Sequence, residues 1–244
     1  MPPPITHTSH ASAKRKVKPA SIPKRDKSQE RSRRRPATSR ETAVQLYAAW
    51  LKHPGNIETA AENALVQECW EPRDRAFFLE LLFGVIRRHG YIEWLLGRLS
   101  PRRLNCGQRA YAATALGVYQ LLYLDRTPVY AVVDSAVEIA RQAEGPTVAG
   151  WTNAILHTLD KLREGNEIPI PHTRDQLFNL ATLHSHPPWL VQRWSRFIDP
   201  ENLEKFLEWN NRRPSVCLRV NSLKTTPDQA LEELAAAKIT AEPT

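Results

Sequence analysis

Between Thr38 and Arg163 apolar residues return at three- and four-residue steps, the period of helices that bury one face and wet the other. The first run puts Ala43, Leu46, Tyr47 and Trp50 on one side. It opens on Thr38-Ser39-Arg40-Glu41, where a threonine hydroxyl and a glutamate carboxylate can satisfy each other's backbone NH groups, and Pro54-Gly55 ends it. A second helix is predicted over about Ile57 to Gln67. A long one follows from Arg73, burying Phe78, Leu82, Val85, Ile92, Leu96 and Leu99 and breaking near Gly90. Its other side carries Arg73, Glu80 and Arg87. The next helix, from Gln108 to Leu124, holds Gly117 in mid-run, which costs about 1 kcal/mol against alanine and is tolerable if a neighbouring helix crosses closely there. Thr127-Pro128 starts a helix whose stripe is Val129, Val132, Val133, Ala136, Val137 and Ala140. The last one aligns Val148, Trp151, Ile155, Leu159 and Leu162. The pattern describes an all-helical bundle.

Asn166 to His172, with prolines at 169 and 171, reads as a linker. Three short helices are predicted beyond it, near Arg174 to Thr182, Pro188 to Phe197 and Pro200 to Asn211, the last with Asp199 as its cap. Val216, Leu218 and Val220 then alternate with Cys217, Arg219 and Asn221, as a strand with one buried face would. Thr226-Pro227-Asp228-Gln229 repeats the capping pattern. The expectation is a mostly α chain ending in an incomplete strand-helix unit.

Charge changes this picture at the N-terminus. Residues 1–40 hold twelve Lys or Arg and two acids, a net +10, whereas residues 41–244 are at −2. Residues 1–37 lack aromatic residues and cannot bury enough surface to fold, so a disordered basic tail is expected there. Such a polycation binds phosphate backbones by displacing counterions; a solubilising leader is the other reading. The tail has no apolar centre of the kind a secretory signal needs. Its prolines at 2–4, 19, 23 and 36 interrupt the amphipathic helix of a transit peptide. No apolar run is long enough to predict a membrane span. Three scattered cysteines point to a reducing, cytoplasmic setting and read as ordinary packed thiols.

Three segments resemble the helical domain of the antitermination factor NusB: RDRAFFLELLFGVIRRHGYIEWLLGRL (Arg73 to Leu99), ALGVYQLLYLDRTPVYAVVDSAVEIAR (Ala115 to Arg141) and WTNAILHTL (Trp151 to Leu159). In this order, followed by HPPWL (His186 to Leu190) and LRVN (Leu218 to Asn221), they resemble the Sun/RsmB family, which methylates C5 of a cytosine in small-subunit (16S) ribosomal RNA. The resemblance covers roughly residues 38–244. It implies a NusB-like RNA-binding domain at 38–165, a linker at 166–172 and the first part of the methyltransferase region at 173–244. For the full-length family it also implies a Rossmann-type domain binding S-adenosylmethionine, with one cysteine after a proline and another in a Thr-Cys pair.

None of that chemistry maps onto these residues. No two of the nine glycines are spaced G-x-G, and none follows Gly165, so the close-approach turn of a cofactor loop is not encoded. Cys69, Cys106 and Cys217 follow Glu68, Asn105 and Val216. The chain is therefore expected to be truncated before its catalytic domain and to hold no cofactor or catalytic residue.

The candidate RNA-binding residues are arginines. Arg33, Arg34 and Arg35 lie in the tail; Arg87, Arg88, Arg102, Arg103 and Arg109 are expected around one end of the long helix, where they could hold phosphates or stack on splayed bases. The competing reading is a solvated face paired with Glu80 and Glu93. His184 and His186, beside Trp189 and Trp194, lack a third metal ligand, and the tryptophans read as core. Asp134 and Glu138 share a helix face opposite the valine stripe, as a wet surface pair would. Two functions follow. One is the RNA-recognition portion of a ribosomal RNA cytosine-C5 methyltransferase, with small-subunit ribosomal RNA and a separately supplied methyltransferase domain as partners. The other is a stand-alone NusB-like RNA-binding protein in transcription antitermination.

Overall fold

The structure is a computed structural model that describes residues 37–100, 106–214 and 216–243. Eleven helices and no strand occur among the described residues. The first seven are α1 (Ser39–Lys52), α2 (Ile57–Gln67), α3 (Pro72–Arg87), α4 (His89–Leu99), α5 (Gln108–Tyr123), α6 (Val129–Glu144) and α7 (Pro146–Glu164). Four shorter ones follow: α8 (Gln176–Leu183), α9 (Pro188–Trp194), α10 (Pro200–Asn210) and α11 (Pro227–Ala236). Both predicted capping boxes form: Glu41 N donates to Thr38 Oγ1 at 3.2 Å while Thr38 N donates to Glu41 Oε2 at 2.7 Å, and Thr226 with Gln229 repeats the arrangement.

The bundle is built around α5, which packs against α1, α3, α6 and α7. Residues from Ala110 to Leu121 are buried nearly all round, and the small side chains of Ala112, Ala113 and Ala115 let four neighbours approach. Gly117 serves the predicted close crossing, because a Cβ there would lie 2.9 Å from both methyl carbons of Leu156 on α7. Gly84 serves another that the sequence did not reveal: a Cβ on it would overlap the hydroxyl and Cζ of Tyr119.

The long predicted helix divides at Arg88 rather than at Gly90. Arg88 takes φ −104° and ψ 11°, a single non-helical residue between α3 and α4. Gly90 has a different use. The turn after α8 comes down on it, with Ser185 Cα only 3.3 Å from where a Cβ would sit. That turn closes with His186 N donating to Ala181 O, and Ser185 at φ 55° occupies the left-handed position usually given to glycine. The conformation aims Ser185 Oγ at Tyr91 N, which donates to it at 2.9 Å. Tyr91 also donates its hydroxyl to Pro169 O at 2.7 Å, so α4 anchors the connecting segment as well as the α8–α9 turn.

Beyond that anchor a small second core gathers Ala181, Val191, Leu203 and Leu207, with Trp194 against it. Several expectations fail here. Val216 to Asn221 takes no regular structure and pairs with no other described segment, and Val216 and Leu218 are 87% and 71% exposed. Alternation marks a strand only where a ladder partner and a covering layer exist, and the described residues supply neither. Trp189 is 63% exposed rather than in a core, because α9 turns Val191 inward instead. Asp199 precedes α10 without a side-chain capping bond. Cys69 and Cys217 are free but exposed; Cys106 alone is partly buried.

Candidate nucleic-acid interface

The residue that divides α3 from α4 also presents the clearest binding geometry. Arg88 lays its guanidinium over the ring of Tyr123, 4.8 Å from the centroid, in the last turn of α5. Tyr123 in turn stacks on Tyr119 at 5.4 Å and 30°. Tyr119 is held from below, its hydroxyl donating to Glu80 Oε1 at 2.7 Å, and it occupies the space that Gly84 leaves open. Burial, reinforced by the Glu80 carboxylate, pushes the Tyr119 phenol well above its ordinary range, while Arg87 and Arg88 oppose that rise. The phenol therefore stays protonated at neutral pH. Arg87 and Arg88 form no ion pair among the described residues; Glu80 instead reaches Arg213 at 4.0 Å, and Glu93 lies 3.7 Å from His89. The solvated-pair reading with Glu80 and Glu93 does not describe these two arginines.

Three histidines flank the junction, His89 and His186 half-buried and His184 buried. His89 Nδ1 is 2.8 Å from the Tyr47 hydroxyl, and its ring meets Trp50 edge-on at 5.4 Å. His184, buried, has its carbonyl capped by Asn211 Nδ2 at 2.7 Å and its Nε2 3.6 Å from Glu204. His186 packs edge-on against Trp194. Burial depresses the pKa of all three; Glu93 and Glu204 only partly counter this for His89 and His184, and nearby His184 and Arg88 charges add to it for His186. No group of three His, Cys, Asp or Glu able to hold a metal occurs among the described residues.

The expected arginine cluster is not one cluster. Arg109 sits, exposed, in the first turn of α5, fourteen residues before Tyr123, which is about 21 Å along the helix. Arg33, Arg34, Arg35, Arg102 and Arg103 lie outside the described residues. Sequence spacing did not identify Tyr119 or Tyr123 as neighbours of Arg87 and Arg88, nor Arg213 as a partner of Glu80, since these contacts cross between elements. Asp134 and Glu138 are exposed as expected, with Glu138 accepting from Arg141 and Gln142.

At the Arg109 end of α5 a cavity of about 280 Å³ opens between α1, α4, α5 and α7, lined by Leu51, Glu93, Leu96, Gln108, Tyr111 and Trp151 among others. The Trp151 indole NH donates to Ser100 Oγ at 2.9 Å, fixing that ring. Gln108 Oε1, itself buried, has no hydrogen-bond partner among the described residues.

Comparison with known proteins agrees with this layout. Residues 37–161 match the NusB family, and residues 186–244 match the ferredoxin-like domain of RsmF/B-like methyltransferases. The chain is 31% identical over 179 residues to ribosomal RNA small subunit methyltransferase B of Serratia proteamaculans, covering 73% of this chain and 40% of that protein. It is 33% identical over 172 residues to the protein of the same name from Yersinia pseudotuberculosis (70% and 38% covered). With a probable ribosomal RNA small subunit methyltransferase B of Synechocystis it shares 27% over 184 residues (75% and 41%). The chain thus spans about two fifths of the length of the curated relatives it matches. The crystal structure of PH0851 superposes with a TM-score of 0.53 at 17% identity, covering 85% of this chain and 46% of that one, a likeness of fold.

Proposed function

Because the chain belongs to the NusB family and continues into a region matching RsmF/B-like methyltransferases, we propose that it recognises small-subunit ribosomal RNA on behalf of a cytosine-C5 methyltransferase. The observation that carries the reading is the Arg88 guanidinium on the Tyr119–Tyr123 stack, with Arg87 beside it and neither arginine in an ion pair among the described residues. A guanidinium over an aromatic ring can bond phosphate oxygens through its NH groups or stack on an unstacked base. The basic N-terminal residues add attraction that is independent of sequence. In this reading the methyl group comes from S-adenosylmethionine bound outside the residues described, in a further domain or a separate chain, and the protein works in the cytoplasm where ribosomal RNA is modified. A stand-alone antitermination role is disfavoured by the methyltransferase-type region at residues 186–244.

The test is fluorescence anisotropy with a labelled small-subunit ribosomal RNA fragment over a series of salt concentrations. Arg87→Ala together with Arg88→Ala removes two phosphate contacts, so the slope of log K against log salt should flatten by about 1.4 on single strands, with the thermal transition in place. An unchanged slope and affinity would remove this face from the binding site.

A further inference from the structure

We propose that Arg213, from the region matching RsmF/B-like methyltransferases, is a third phosphate-binding guanidinium beside Arg87 and Arg88, so that both regions of the chain hold one RNA strand together. The inference rests on RNA being the ligand and deepens that reading by carrying the contact surface beyond the NusB-matching residues.

The place of Arg213 is set by buried contacts. α10 ends at Asn210, and the next residue, Asn211, is buried and donates its side-chain amide to the His184 carbonyl at 2.7 Å. His184 begins the α8–α9 turn, whose Ser185 rests on Gly90 and accepts from Tyr91 N in α4. Asn211 is thus tied through one turn to the start of α4, beside the break at Arg88. Two residues further on, Arg213 brings Nη1 to 4.0 Å from Glu80 Oε2 on α3. The other oxygen of that carboxylate accepts from the Tyr119 hydroxyl at 2.7 Å. Arg87 and Arg88 lie near enough to the same hydroxyl to oppose the rise in its pKa. Three guanidiniums therefore converge on one phenol–carboxylate pair, and their charge exceeds that of Glu80 by two.

A purely structural ion pair does not account for Arg213. Its side chain is 77% exposed and meets Glu80 only at the limit of an ion pair, a contact that holds an exposed side chain weakly. A guanidinium carries five NH donors, and Nη1 is the atom that approaches Glu80. Glu80, one third exposed and already bonded to Tyr119, orients the arginine without exhausting its donors. The turn histidines add no charge at pH 7: burial holds His184 and His186 neutral beside Arg88, with Glu204 and Glu208 the acids that face His184. Glu80 and Arg87 stand two turns apart on α3, about 10 Å along its axis. Arg213 and Arg87 thus mark a path along α3 on which a flexible strand can lay more than one phosphate. The bundle supplies the aromatic platform and two cations; the methyltransferase-type region supplies the third.

The experiment uses the full chain and the labelled small-subunit ribosomal RNA fragment, with anisotropy read across salt concentrations. Arg213→Ala should flatten the slope of log K against log salt by about 0.7, one phosphate on a single strand, with the thermal transition in place. Arg213→Lys should restore the slope, because lysine keeps the point charge. Combined with Arg87→Ala and Arg88→Ala, the flattening should reach about 2.1. Glu80→Gln is the second variant: it leaves Tyr119 an acceptor and releases Arg213, so it should tighten binding more in the unaltered chain than in Arg213→Ala. An intact slope in Arg213→Ala, or an equal gain from Glu80→Gln with and without Arg213, makes Arg213 a structural partner of Glu80 and overturns the inference while the Arg87–Arg88 reading stands. A slope that responds to Arg213→Ala but not to the Arg87→Ala, Arg88→Ala pair overturns the shared surface by placing RNA on the C-terminal region alone. No response to any of them overturns both readings.

Discussion

Gly84→Ala is expected to destabilise the bundle, although in an ordinary helix interior the same change stabilises by roughly 0.5–1 kcal/mol. The reason is local. The new Cβ would overlap the hydroxyl and Cζ of Tyr119, a ring end that cannot simply swing away. Moving it breaks the 2.7 Å bond to Glu80 and disturbs the stack with Tyr123. A hydrogen bond to a charged acceptor contributes about 1.5–3 kcal/mol, and overpacking a filled core costs about 1–3 kcal/mol. Set against the helix-propensity gain, the net loss is on the order of 2–4 kcal/mol, or roughly 4–16 °C in Tm for a domain of this size. Urea and thermal unfolding of the single variants and of the pair with Tyr119→Ala give the coupling. With Tyr119 cut back to alanine, the Gly84→Ala step should become neutral or stabilising. If Gly84→Ala raises Tm in the otherwise unaltered protein, the close approach of α3 to Tyr119 is not what holds the stack, and the argument for a rigid platform under Arg88 fails with it. If the approach is as described, RNA affinity should fall alongside stability, because Tyr123 loses its support.

Deleting residues 1–36, which hold nearly all of the +10 of the first forty positions, should remove most RNA affinity at moderate salt and flatten the salt slope; an unchanged slope assigns binding to the folded arginines alone. His89, His184 and His186 have pKa values depressed by burial, so the unfolded chain takes up protons that the folded one refuses. Their contribution is complete above the ordinary histidine value near 6.5 and is lost as pH falls toward the depressed values, at up to about 1.4 kcal/mol per pH unit per proton. Melting curves at pH 7.5 and 5.5 should show the loss, and His184→Gln should make it shallower. Amides from Val216 to Asn221 should exchange orders of magnitude faster than those of α5, because the segment pairs with no other described segment; comparable protection would show that another layer covers it.

The helices of this chain were legible from sequence because their causes are local: the three- and four-residue apolar step, the Thr38 and Thr226 capping boxes and the Pro-Gly stop all act within one or two turns. Gly117 even announced a helix crossing, since a glycine in mid-helix is costly unless something needs its space. The separation of a basic N-terminus from a slightly acidic body was equally plain, being a matter of composition. What sequence spacing misplaced depended on partners. Alternation at Val216 to Val220 encodes a preference for a strand, but a strand exists only when another segment accepts its hydrogen bonds, and none described here does. Arg109 was grouped with Arg87 and Arg88 by nearness in the chain, yet the length of α5 separates them. Tyr119, Tyr123 and Gly84 carried no signal of their role, because the Arg88 platform is assembled from α3 and α5 only after the bundle packs. Long-range contact, with its demand for two surfaces to meet at van der Waals distance, decided the candidate site; local periodicity decided the helices that hold it.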